Sequence, residues 1–247
     1  KAAELRQQGI DVLNFSVGEP DFNTPSHIVT AAVSAMNNGF TKYTPGSGTY
    51  ELKKAVCSKL SRDNNLQYKP ENIIVSCGGK HALYNACQVL FEHGDEVIIF
   101  SPYWVSFPDF VSVTGATPIY VNTVPDKQYE PDFDDLKSKI SNNTKGIIIN
   151  SPSNPTGGVW SDEAIQKTLN FALEHDLWVF SDECYEQLVY DTSFKSIATF
   201  TDEIEESIKD FLVYDLDILP SKHEIDSYLD DVDDLKSRTE KLLQKYN

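Results

Sequence analysis

The chain of 247 residues is long enough for one large α/β domain, alone or with a small appendage, and its apolar content of 40% suffices for a sizeable core. The formal net charge of −17 excludes non-specific binding to nucleic acid or to an anionic membrane, because neutralising phosphates takes surplus Lys and Arg. There is no signal peptide, no apolar run long enough to span a bilayer and no C-x-x-C pair of the kind that binds zinc, so a cytoplasmic, reducing setting without a metal centre is expected.

In chain order, β-type runs are predicted at 72–76 (NIIVS), 96–100 (EVIIF), 117–123 (TPIYVNT), 146–150 (GIIIN) and 177–183 (LWVFSDE). Helical patterns fall between them at 80–92, 103–114, 132–141 and 161–175. This alternation predicts an α/β fold, a mostly parallel sheet flanked by helices. The continuous apolar run in GIIIN suits a strand covered on both faces. Of Cys57, Cys77, Cys87 and Cys184, three lie in or beside apolar segments and are expected as reduced core residues. From about Thr201 the character changes: the last 47 residues contain no glycine and many acids. There Ile204, Ile208, Phe211 and Leu212 share one helical face. Ile225, Leu229, Val232, Leu243 and Tyr246 mark a second amphipathic helix, whose start carries the capping box Ser221 with Glu224. The expected organisation is a domain over 1–200 and an acidic helical tail over 201–247.

In open α/β sheets ligands gather at the carboxyl ends of the strands. Cys77-Gly78-Gly79-Lys80 follows the first run and opens a helix. Free first-turn N–H groups and small residues there suit a phosphate, and they equally suit a tight turn. Trp104, after the second run, offers a flat surface for a conjugated ligand, or ordinary core packing. Asn154 sits in a Pro-bracketed turn after the fourth run and is a turn residue or an amide donor. Asp182 ends the fifth run, with Tyr185 just beyond. The carboxylate could pair with a protonated ring nitrogen or act as a cap, and the phenol could bond a ring oxygen.

The segments FSVGEPDFNTP, KYTPGSGTYELKKAV, VSCGGKHALYNACQVL, GDEVIIFSPYWVSFPDFV, INSPSNPTGGVW and VFSDECYEQLVYD stand in an order and spacing that resemble the class I aminotransferases, pyridoxal-phosphate (PLP) enzymes of fold type I, and among them the bacterial-type aspartate aminotransferases. The likeness covers roughly 1–199. It implies that Gly79 and Lys80 hold the cofactor phosphate, that Trp104 stacks on the pyridine ring, that Asp182 keeps the ring nitrogen protonated, and that Asn154 and Tyr185 bond the phenolic oxygen. It further implies a homodimer in which Tyr43 reaches the partner's cofactor phosphate. Gly18 would lie against the substrate α-carboxylate, and the Lys80 side chain would meet an acidic substrate's distal carboxylate. Amino acids and 2-oxo acids are the substrates that follow from the likeness.

The family's Schiff-base lysine segment, its G-x-R-x-G and its substrate-clamping arginine are not recognisable, and the pattern stops near Phe200. Lys222 is the one candidate for that lysine, with a capping role for its neighbourhood as the alternative. The expectation is therefore an aminotransferase-family PLP-binding domain, truncated before the lysine, whose cofactor is held covalently or only non-covalently. The alternative is an inactive remnant or fusion acting as an assembly protein through its C-terminal helices.

Overall fold

The computed structural model describes residues 2–12 and 22–200, which fall in two compact units divided between Pro45 and Gly46. The first unit contains α1 (Ala2–Gln7) and α2 (Ser26–Asn37). α2 buries none of its residues, and Ile28, Val29, Val33 and Met36 along it are about half exposed.

The second unit opens with α3 (Tyr50–Asn64), capped by Thr49, whose hydroxyl accepts from the Leu52 amide, and closed by Asn65 in the left-handed conformation. α4 (Gly79–Leu90), β1 (Glu96–Ser101), α5 (Phe107–Ser112), β2 (Thr117–Val124), β3 (Glu130–Pro131), α6 (Phe133–Lys139), β4 (Thr144–Asn150), α7 (Asp162–Glu174) and β5 (Trp178–Asp182) follow. The strands order as β3-β2-β1-β4-β5. Pairs β1–β2, β1–β4 and β4–β5 are parallel; only the two-residue edge strand β3 is antiparallel. This is the mostly parallel, helix-flanked sheet that the alternation predicts.

Strand pleat explains why the central runs are apolar throughout. In β1, Val97 and Ile99 join Cys87, Phe91, Phe107 and Val111 under α4 and α5. The intervening Ile98 and Phe100 join Leu136, Ile165 and Leu169 under α6 and α7. Every second side chain therefore enters a different core, and each fully buried Leu or Ile contributes roughly 1.5–3 kcal/mol.

Three local expectations change. Residues 72–76 form no strand: Pro70–Asn72 is a 3-10 turn, and Ile73, though extended, has no strand beside it among the described residues. An apolar run becomes a strand only where a sheet edge meets it, and Ile74 here stays half exposed. α5 begins at Phe107 rather than near 103, because a helix begun there would bury Pro108, which has no N–H, in its interior. Only Cys87 is a core cysteine; Cys77 and Cys184 are exposed and Cys57 is half-buried. Burial pushes the Cys87 thiol up to about 12, which makes it chemically inert. Helices α1, α2 and α3 were not anticipated from periodicity, and α3 mixes charged residues through its apolar positions.

Candidate functional site

Strand register brings three chain-distant ends to one edge. Ile99 pairs with Ile148, and Asn150 with Asp182, so the carboxyl ends of β1, β4 and β5 lie level, each about 4.8 Å from the next.

At the start of α4, Gly78 has φ +84°, a conformation that glycine alone adopts without strain. A Cβ on Gly78 or Gly79 would meet nothing within 4 Å, so the ground before this helix end is open. The amides of Gly79 and Lys80 have no acceptor within the helix. The preceding amide, of Cys77, donates to Nδ1 of His81 at 3.1 Å. The Lys80 ammonium lies 5.0 Å from the centre of the Trp104 ring.

Trp104 follows β1 in the loop before α5. One side of it is edge-packed on Phe107 and Phe110, at 5.5 and 5.9 Å between centroids, and the ring is otherwise only half-buried. The ring thus makes a core contact and keeps part of its surface accessible.

At the end of β4, Asn150 ties two strand ends together. Its Oδ1 accepts from the Asn154 amide at 2.7 Å, and its Nδ2 donates to the Asp182 carbonyl at 2.9 Å. The Asn154 side chain in turn donates to the Tyr185 hydroxyl at 3.4 Å. The segment 151–160 is a closed turn. Ser153 N–H donates to the Gly158 carbonyl, Gly157 N–H to the Ser153 carbonyl, and Trp160 N–H to the Ser151 hydroxyl at 3.0 Å. Gly158 is buried there, and a Cβ on it would stand 2.2 Å from the carbonyl oxygen of Gln128. That oxygen belongs to backbone and cannot swing aside. Gly158→Ala is therefore expected to cost about 3 kcal/mol by overpacking. Urea unfolding measures it, and a loss under 1 kcal/mol would show that the turn yields freely.

Asp182 caps its own turn, Oδ1 accepting from the Cys184 amide at 3.2 Å. Burial pushes its carboxyl above the usual range, the Cys184 amide partly offsetting this, and no cation among the described residues pairs with it. The neighbouring Glu183 is also raised chiefly by burial, and it is bonded by the Ile197 amide and the Ser181 hydroxyl, both at 2.8 Å. Two adjacent carboxyls thus differ: Glu183 is committed to local structure, whereas among the described residues Asp182 has one bond and no partner charge.

The structure therefore brings together Asp182, Asn154 and Tyr185, and separately Lys80 and Trp104, on elements that meet at one sheet edge. Tyr43 belongs to the first unit and is fully exposed. Gly18, Lys222 and the predicted C-terminal helices lie outside the described residues. Asn150 escaped the sequence reading; its signal was an amide ending a buried strand just before a proline-bracketed turn. Among the described residues no group of His, Cys, Asp and Glu could hold a metal ion, and no helix is long and apolar enough to cross a membrane.

Residues 10–214 match the family described as aminotransferase class I and II. The chain belongs to this family. An aspartate aminotransferase of Bacillus subtilis (strain 168) is 47% identical over 207 residues, 83% of this chain and 53% of that protein. Among solved structures, the aspartate aminotransferase from Thermus thermophilus with maleate superposes with a TM-score of 0.76 at 43% identity, over 80% of this chain and 52% of that one. An alanine aminotransferase from Pyrococcus furiosus gives 0.78 at 30% identity, over 81% and 51%. This aminotransferase-family chain thus spans about half the length of the relatives it matches. Its mostly parallel sheet has the PLP-transferase fold.

Proposed function

We propose that this chain binds pyridoxal phosphate as the large domain of an aspartate-type aminotransferase, which moves an amino group from an amino acid to a 2-oxo acid. The observation that carries the reading is Asp182: a half-buried carboxyl without a cation among the described residues, at the strand end next to the Asn154–Tyr185 pair. A protonated pyridine nitrogen is the kind of partner such a group lacks.

The rest of the donor set fits the same cofactor. The open helix end at Gly79 and Lys80 suits a phosphate, Trp104 offers a flat wall, and Asn154 and Tyr185 supply donors for a phenolic oxygen. When bound, the cofactor supplies the electron sink that amino-group transfer needs. The protein's part is to hold it, orient it and keep its ring nitrogen protonated through Asp182. Lys80, beside the ring wall, is placed for the distal carboxylate of aspartate or glutamate, a role supported by the relative solved with maleate, a dicarboxylate. The exposed Tyr43 supports a homodimer in which it serves the partner's phosphate site. By likeness to the family, Gly18 would serve the substrate α-carboxylate, with 1–200 as the aminotransferase part and 201–247 as an appendage. These residues would hold the cofactor by non-covalent contacts, with or without a covalent link to a lysine.

The test is an absorbance titration with PLP, then borohydride reduction and peptide mapping. Saturable uptake is expected, and the peptide map shows whether a lysine is modified. A single modified lysine such as Lys222 would support the covalent reading, and absence of uptake would end the cofactor reading. A second reading, an assembly protein working through its C-terminal segment, is favoured by the change of composition at Thr201.

A further inference from the structure

We infer that Lys59 and Asn64 of α3 are positioning residues that act through Glu186 to hold the Tyr185 hydroxyl in place; the inference rests on the cofactor reading of Tyr185. Lys59 Nζ donates to Glu186 Oε1 and, at 2.7 Å, to Asn64 Oδ1. Asn64 Nδ2 donates to the other Glu186 oxygen, Oε2, at 2.7 Å. The three side chains close a triangle across 127 and 122 residues of sequence. Asn64 is buried and the Glu186 side chain is 14% exposed, while the Lys59 side chain is 35% exposed, so the triangle is part-buried and differs from an ordinary surface ion pair.

The turn needs such an anchor. Beyond β5 its backbone bonds are few, Glu186 N–H to the Glu183 carbonyl and Leu188 N–H to that of Tyr185. Gln187, Leu188 and Tyr190 face solvent, so core burial does little to fix it. The Asn154–Tyr185 bond is already long at 3.4 Å, and a small tilt of the turn breaks it. Burial acts to raise the Glu186 carboxyl, but the bonds from Lys59, Asn64 and Gln187 outweigh it and leave the group low, hence charged at neutral pH. α3 thereby reaches the site without touching it.

A double-mutant cycle separates positioning from general stability. PLP affinity is measured for wild type, Lys59→Met, Tyr185→Phe and the double variant, with hydrogen exchange of the Leu188 amide followed alongside. Lys59→Met is expected to weaken PLP about 5-fold in the wild-type background and under about 2-fold beside Tyr185→Phe. Lys59→Arg should recover most of the loss, and Leu188 should exchange about 10-fold faster in Lys59→Met while β4 amides stay protected. Equal losses in both backgrounds, or no loss, overturn the inference. Should Lys59→Met fail to fold, the isosteric Glu186→Gln carries the same comparison. Wild-type protein that takes up no PLP overturns the cofactor reading and the positioning role with it. Unchanged Leu188 exchange in a PLP-binding protein overturns the anchoring alone.

Discussion

Asp182→Asn is expected to weaken PLP binding about 30- to 150-fold while making the free protein more stable. The loss corresponds to roughly 2–3 kcal/mol, the size of a hydrogen bond to a charged group, at a factor of ten per 1.4 kcal/mol. The gain comes from the same carboxylate. Burial raises the folded-state pKa of Asp182 above its unfolded value, so the folded protein holds that proton more tightly. Stability from this group is then fully present below the unfolded value, about 3.9, and is lost as pH rises through the folded one. At pH 7 the free protein carries a half-buried charge with no cation beside it among the described residues, and the neutral amide removes it. A gain in Tm follows at pH 7, of the kind seen when a functional strain is relieved. The gain should vanish near pH 3.5, where both forms are neutral. Thermal scans at the two pH values and a PLP titration measure both halves. A variant that binds PLP like wild type would remove Asp182 from the site.

Trp160→Ala should have the largest effect on stability, about 4 kcal/mol, or a fall in Tm of roughly 10 °C in a chain this size. The indole is 5% exposed, meets the edge of Phe100 at 4.9 Å between centroids, and donates through Nε1 to the Tyr129 carbonyl at 2.9 Å. Truncation leaves a cavity in the core beneath α7 and orphans that carbonyl, and each adds to the cost. The bond that closes the turn, from the residue 160 backbone N–H to the Ser151 hydroxyl, survives either substitution. Trp160→Phe keeps most of the buried area and gives up the donor, and about 1–2 kcal/mol is expected. Chemical unfolding of the two variants separates packing from the hydrogen bond. If both variants lose under 1 kcal/mol, the Trp160 indole is not what fastens this core.

Much of the site was legible because its chemistry is local. A strand end, a glycine pair before a helix and a proline-bracketed amide are short-range patterns, and residue type alone suggests what Asp182, Trp104 and Asn154 can bind. Asn150 was missed because its role lies in bridging two strands: its amide serves the Asn154 N–H on one side and the Asp182 carbonyl on the other. Lys59 was missed for the same reason, since its partner Glu186 lies 127 residues away.

The sequence by itself determined the α/β class, four of the five predicted strands, the helices after them and the family, because pleat and helical period print burial directly onto neighbouring residues. Only the tertiary structure decided the order β3-β2-β1-β4-β5, which sets β1 and β5 on either side of β4 and so assembles one edge from three separate strand ends. It also decided that 72–76 finds no strand to pair with, and that Cys87 alone among the cysteines is buried. Pairing and burial depend on which distant segment arrives alongside, and periodicity within a segment carries no record of that arrival.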